Sequence, residues 1–394
     1  MKRYLSLGLS LLLLCGCTST VSTVTDPPDS SPSPSPLVLS EDVVPLEQAL
    51  AESRELDLQD SVNLKFAPGV TLECPDTVYR GQMMQIADFS DQYGDQLLHW
   101  WIPDEVWDDT YYIPQEEAEG YPYGPIYEDE NGWYADSRCT GTVFYSKGEG
   151  QTFFLNDDQY DLVTAYAVYF PEESLQDSYP MEDGDLTIQQ AIQMGNEYAD
   201  EWCALTDFPQ ELRVEYVYVH DRGDGTYFYR LYYQSFLDGV ILDNVFSRTT
   251  FDHFVYDSMS GIISSVEGFS CWGGGTGGVI PYDTTTTCEE ILPLGDAIDI
   301  LSTKLSAYTA YDVKRVALSY RLTLDGTAQT PDQYRATDKD GNLIPDCEVK
   351  LQGGSYQLYQ LHPSWAFYMT RPSGRVVVCF VDAQTGEVSV VDNG

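Results

Sequence analysis

The side chains able to do chemistry are scattered along this chain. Histidines stand at His99, His220, His253 and His362, and none has a second ligand at the short spacing a zinc site needs. His253 lies in Phe251-Asp252-His253-Phe254-Val255-Tyr256, which reads as a strand. No Gly-x-Ser-x-Gly, His-Glu-x-x-His or phosphate-binding glycine loop occurs. Gly273-Gly274-Gly275-Thr276-Gly277-Gly278 lacks the Lys-Ser/Thr of a phosphate loop and reads as a linker. Asp338-Lys339-Asp340-Gly341-Asn342 invites a calcium reading. With Gly341 at the invariant glycine position of an EF-hand loop, the first ligand would be Ala336 and the last Cys347, where an acid and a bidentate Glu are required. A plain Asp-Gly hairpin turn is expected there. Arg222-Gly223-Asp224 matches an adhesion tripeptide but sits in an expected turn between two strands. Acid pairs such as Asp108-Asp109 suit a glycosidase, yet among 63 Asp+Glu a pair says little. The expectation is a non-enzymatic protein with no catalytic residues, metal or cofactor.

One thiol has a definite chemistry. Lys2 and Arg3 form a positive start, and Leu5 to Leu14 is an apolar run too short to span a bilayer as a mature helix. It ends in Leu14-Cys15-Gly16-Cys17, which resembles a bacterial lipobox with small Gly16 just before the acceptor Cys17. Cys15 replaces the usual Ala, Ser or Thr and is a poor acceptor itself, because Leu14 precedes it. The alternative is an ordinary cleaved secretion signal. On the lipobox reading, 1–17 is a signal peptide, Cys17 carries the lipid, and the protein sits on the outer face of the cell membrane. The other seven cysteines are Cys74, Cys139, Cys203, Cys271, Cys288, Cys347 and Cys379. An odd number forbids complete internal pairing. Cys271 and Cys288 flank the glycine run and are the pair to test first. Otherwise the thiols act as small buried residues.

A third feature is the stretch Trp100 to Tyr134. It holds ten aromatic residues and ten Asp or Glu, with no Lys or Arg. Pro103, Pro114, Pro122 and Pro125 break any long element, so it reads as a structured loop excursion. Trp100, Trp101, Trp107 and Trp133 are the candidate partner or ligand surface, since Trp dominates interface hot spots. The carboxylates need an offset from solvent screening, a bound cation such as Ca²⁺, or a basic partner. The plainer alternative is a loop that packs on itself.

These features must be carried by a folded body. The chain has 394 residues with a formal charge of −43, and 43% of it is hydrophobic, enough to bury real cores. That charge argues against nucleic acid and against binding anionic lipid through the folded part. Residues 18–40 are Pro/Ser-rich and favour extended polyproline II, a tether of roughly 60 Å at about 3.1 Å per residue. Residues 41–180 read as a strand- and aromatic-rich domain, with strands expected over Val62 to Leu72, around Pro68-Gly69, and over Phe153 to Phe170.

From residue 186 the chain repeats itself. Ile188, Ala191, Ile192, Gly195, Ala199 and Trp202 form one helical stripe, and Leu294, Ala297, Ile298, Leu301, Leu305 and Tyr308 form another at the same spacing. Thr187-x-x-Gln190 resembles a capping box. Strands follow each helix, with a hairpin turn at Asp224-Gly225 in the first copy. Asp257-Ser-Met-Ser-Gly261 and Asp382-Ala-Gln-Thr-Gly386 read as equivalent closing hairpins, each glycine supplying a positive φ.

Helix, antiparallel sheet and the final Asp382-Ala383-Gln384-Thr385-Gly386-Glu387-Val388 resemble the PepSY-type module. Leu361-His-Pro-Ser-Trp365-Ala-Phe367 with Val381-Asp382-Ala383 resembles the end of the YycH/YycI-type extracytoplasmic regulators, and of uncharacterised Firmicutes lipoproteins, over 186–394. The resemblance implies an α+β fold with two tandem PepSY-like modules, 181–275 and 276–394, after the N-terminal domain. It also implies a Gram-positive lipoprotein that binds or regulates another cell-envelope protein, with no catalytic residues to carry over. The alternative is a carbohydrate- or solute-binding surface lipoprotein, because sugar faces stack on Trp and Tyr while carboxylates accept hydroxyl hydrogen bonds. A hydrolase is the third class.

Overall fold

Alternation of apolar and polar residues dominates the chain from Leu64 onward, and it builds strands. The computed structural model describes residues 39–85, 90–114, 125–136, 143–156, 159–168, 173–206, 210–244, 259–274, 279–281, 286–329, 334–337, 343–349, 355–374 and 376–392. Cys17, the tether up to residue 38, His253 and the Asp338–Asn342 turn lie outside them. The chain divides into Met1–Val38 and one compact unit, Leu39–Gly394. The helices of that unit are α1 (Leu46–Glu55), α2 (Ser90–Trp101), α3 (Gly150–Leu155), α4 (Ile188–Thr206) and α5 (Leu294–Lys304). Its main strands are β1 (Leu64–Glu73), β2 (Tyr79–Gln85), β3 (Ile126–Glu128), β4 (Tyr134–Asp136), β5 (Val143–Ser146), β6 (Asp161–Ala167), β7 (Glu211–Asp221), β8 (Tyr227–Leu237), β9 (Val240–Asn244), β10 (Met259–Ser265), β11 (Gly268–Gly274), β12 (Tyr311–Gln329), β13 (Ser355–Thr370), β14 (Val376–Asp382) and β15 (Val388–Asp392).

These strands join into one mixed sheet with two arms. One arm runs β3-β4-β5-β11-β10-β8-β7-β6, antiparallel throughout. The other runs β12-β13-β14-β15, with β1 parallel to β12 and β2 antiparallel to β13. Strand β9 couples them: it lies antiparallel to Ser235–Leu237 of β8 and parallel to Tyr320–Leu322 of β12. The long strands branch, so β8 gives Tyr229–Tyr232 to β10 and its far end to β9.

The expected α+β arrangement, with separate PepSY-like modules behind an N-terminal domain, does not hold. Strand predominates among the described residues, and they form a mostly-β mixed sheet with few helices. Segments 41–180, 181–275 and 276–394 all contribute to it. β5 from the first pairs with β11 from the second, and β1 and β2 pair with β12 and β13 from the third. A helix followed by an antiparallel run does recur, as α4-β7-β8-β10-β11 and α5-β12-β13-β14-β15. That order produced the repeat signal. An unpaired strand edge presents N–H and C=O groups to any strand that can reach it, and here distant segments fill several of those edges.

Several local readings change with it. Helix α5 stops at Lys304, and Tyr308 beyond it is 100% exposed. Gly261 lies inside β10 without a positive φ, and a side chain there would press into Phe269 and Trp272. The turn instead falls at Val266-Glu267, before Gly268. Gly273 and Gly274 belong to β11 and are no linker. Phe153 sits in α3 rather than in a strand. Cys271 and Cys288 are free, buried and in different apolar clusters.

Other local readings match. Thr187 N–H donates to Gln190 Oε1 at 2.9 Å and Gln190 N–H returns to Thr187 Oγ1 at 3.1 Å, the reciprocal capping box of α4. Helix α4 buries Ile188, Ala191, Gly195, Ala199 and Trp202 on one face of β7 and β8. Gly195 allows a close approach: a Cβ there would lie 2.6 Å from Val214 Cγ2 and 2.7 Å from Leu231 Cδ1. Helix α5 lays Leu294, Ala297 and Leu301 in the cluster that holds Trp365, Phe367 and Met369. Pro293 gives α5 no side-chain cap, so Ser53 of α1 supplies it, accepting from Leu294 N–H at 2.9 Å.

The last hairpin explains its own motif. Asp382 accepts the N–H groups of Gln384 and Thr385 at 2.9 and 2.8 Å, and Gly386 takes φ 71°. His362 Nδ1 lies 3.4 Å from Asp382 Oδ2. Burial would raise the Asp382 carboxyl, but the bonds from His362 and the two amides outweigh it and hold the group below its usual value. A carboxyl lowered by folding stabilises above its unfolded pKa, and that contribution is lost as pH falls through the folded value. Asp382→Asn is therefore expected to flatten the acid limb of the stability–pH curve. An unchanged limb in pH-dependent urea melts would contradict this.

Candidate functional site

The aromatic stretch is positioned by α2, the β3–β4 hairpin and a short 3₁₀ turn over Asp109–Tyr111. Residues 115–124 lie outside the described set. The hairpin forms because Asp129 Oδ1 accepts the N–H groups of Asn131 and Trp133, both at 2.9 Å, while Gly132 takes φ 91°. The 3₁₀ turn forms because Asp108 accepts from Thr110 N–H at 2.9 Å, and these bonds lower the Asp108 pKa.

The four candidate tryptophans come together, but not on one surface. Trp101 is 3% exposed and stacks on Tyr145 with ring centroids 6.1 Å apart. It belongs to the core and offers no face to a partner. Trp100 is half-buried against Tyr198 at 4.6 Å. Trp133 is half-buried against Tyr145 at 5.8 Å, with Lys147 Nζ 5.9 Å from its ring centre. Trp107 is half-buried and sits at the middle of a ring cluster, 4.0 Å from His99, 4.9 Å from Tyr127 and 5.8 Å from Tyr112.

Three carboxylates beside this cluster accept hydrogen bonds from its own neutral donors. Trp107 Nε1 donates to Asp109 at 2.8 Å, Tyr111 OH to Glu130 at 2.9 Å, and Tyr112 OH to Asp95. Burial, then the bond to Asp95, pushes the Tyr112 phenol up to about 12. The bond to Glu130 raises Tyr111. Both phenols keep their protons and act as donors. Among the described residues no group of three or more His, Cys, Asp or Glu is placed to hold a metal ion. The arrangement is a ring surface with a rim of exposed carboxylates, suited to recognition.

A second polar assembly was not read from the sequence. It lies on the sheet face opposite α1 and α5. Arg315 of β12 grips Glu73 of β1 with two bonds, 2.9 and 2.7 Å, and lies 5.1 Å over the Tyr368 ring. Arg321 lies 5.5 Å over Phe380. On the neighbouring arm Arg230 lies between Phe154 and Tyr232, at 4.9 and 5.1 Å. Arg315 and Arg230 are buried. Each of these guanidiniums stacks on a ring, and Arg315 is also tied to a carboxylate, so the layer serves packing. Polar residues alternating with apolar ones signal a wet face, and this face is covered. Only an Arg alternating with Tyr or Phe hinted otherwise.

The adhesion reading of Arg222-Gly223-Asp224 loses its cation. Arg222 bonds Glu149 and Glu182, both at 2.7 Å. Among the described residues Cys74, Cys203, Cys271 and Cys288 are free thiols. Burial pushes Cys74 up to about 11 and Cys203 and Cys288 up to about 12, which leaves them poor nucleophiles.

No protein-family model matches the chain, and no curated protein matches it. Among solved structures it is similar to an uncharacterised protein from Eubacterium rectale. That match has 14% identity and a TM-score of 0.48, over 87% of this chain and 98% of the other.

Proposed function

We propose that this is a non-enzymatic lipoprotein, held by Cys17 on the outer face of the cell membrane, that binds another cell-envelope protein. The observation that carries the reading is the Trp107 surface. A half-exposed ring cluster of Trp107, His99, Tyr111 and Tyr112 is bordered by Asp95, Asp109 and Glu130. Aromatic centres with polar rims are the anatomy of interface hot spots. An acidic rim selects a basic partner, and it suits a chain of charge −43. The resemblance to YycH/YycI-type regulators points the same way. A carbohydrate ligand is the second reading, favoured by the same ring beside hydroxyl-accepting carboxylates.

Removing 103–130 would take out β3 and buried Tyr127, so point variants make the cleaner test. Trp107→Ala is expected to lower capture of its partner from a membrane-envelope extract at least tenfold, as losing about 1.4 kcal/mol or more of binding does. A glycan array probed with the wild type separates the second reading. If Trp107→Ala captures the same proteins in the same amounts, this surface has no recognition role.

A further inference from the structure

Strand β6 ends its arm of the sheet. Among the described residues it pairs only with β7, through Thr164↔Val219, Ala165↔Tyr218, Tyr166↔Val217 and Ala167↔Tyr216. Val168 N–H donates to Glu215 O at 2.8 Å in the same register. Antiparallel pairs alternate between bonded and non-bonded positions. Tyr166 and Thr164 therefore bond to β7, and the N–H and C=O groups of Ala165 and Ala167 point outward. Leu162 and Val163, at the strand's start, are 53% and 47% exposed.

Proteins guard such edges with Lys, Pro or bulges. Strand β1 is guarded in this way, with Lys65, Pro68 and a bulge between Phe66 and Thr71. The run Leu162-Val163-Thr164-Ala165-Tyr166-Ala167 has no charge and no proline, and its register shift falls before Thr164. The Ala165 to Ala167 stretch is regular, and among the described residues no strand pairs with its outer edge.

We propose that the outer edge of β6 is a strand-docking site for an extended, basic segment of a partner protein. The surrounding charge selects the occupant. Asp161 faces Asp221 across the β6–β7 pair. A second copy of this chain would bring the same carboxylates and another −43 of charge. A segment of alternating apolar and Lys or Arg residues adds a strand through backbone bonds and neutralises that end of the edge. This surface is distinct from the Trp107 surface, because β4, β5, β11, β10, β8 and β7 separate β3 from β6.

The probe is a synthetic nine-residue peptide of alternating Lys and Val with a central Thr, added to the full-length protein. Hydrogen exchange is expected to slow at the Ala165 and Ala167 amides on binding. Fluorescence anisotropy is expected to show at least tenfold weaker binding to Ala165→Pro. Proline there removes an outward N–H that β7 does not use, so the melting temperature should stay within a few degrees. Unchanged exchange at both amides would overturn the proposal, and that readout needs no variant. Equal binding by Ala165→Pro, or by a peptide with Glu in place of Lys, would overturn it too. Protection of both amides in the protein alone, rising with its own concentration, would assign the edge to a second copy and also overturn it.

Discussion

Cys17→Ala is expected to abolish lipid attachment and release the protein from the membrane. The sequence order is that of a lipobox: a positive start, an apolar run, then Leu14, a small residue, Gly16 and Cys17. Each buried acyl methylene contributes about 0.8 kcal/mol to membrane affinity, so losing the acyl chains removes the anchor outright. The chain's charge of −43 repels anionic headgroups, and among the described residues no helix is long and apolar enough to span a bilayer. Palmitate labelling and membrane fractionation check it. Label kept by Cys17→Ala would shift the attachment to Cys15.

Trp202→Ala is expected to destabilise the fold by about 3–5 kcal/mol, the range for emptying a large buried aromatic site. The side chain is fully buried between α4 and the sheet, with its ring 5.2 Å from Trp272. Tyr308→Ala makes the matched control. The two residues hold equivalent places in the helical stripes, yet Tyr308 lies past the end of α5 in solvent. Its loss should change stability by less than about 0.5 kcal/mol. Urea melts of the full-length protein separate the two outcomes. Equal effects would mean that α5 continues and buries Tyr308.

That pair also shows what the sequence could reveal. Spacing marked both helices, because an amphipathic stripe is a local property. Thr187 with Gln190, Asp224 with Gly225, and Asp382 with Gly386 marked a cap and two turns, because each is closed by bonds within a few residues. Strand pairing has no such local mark. Nothing near Glu73 announces Arg315, and nothing near Val143 announces Gly274. The two apparent modules merged because their edges are filled from far along the chain. The bond from Tyr111 to Glu130 was hidden for the same reason, since the two lie nineteen residues apart.

The Trp107 surface is proposed to recognise an envelope protein. Photo-crosslinking in living cells tests it most directly, with a benzophenone amino acid at Thr110, an exposed residue of the turn beside Trp107. One discrete adduct to a basic extracytoplasmic protein is expected, absent when the same probe is placed at Tyr308 and lost when Trp107→Ala is added. No adduct at Thr110, or the same adduct from Tyr308, would contradict it.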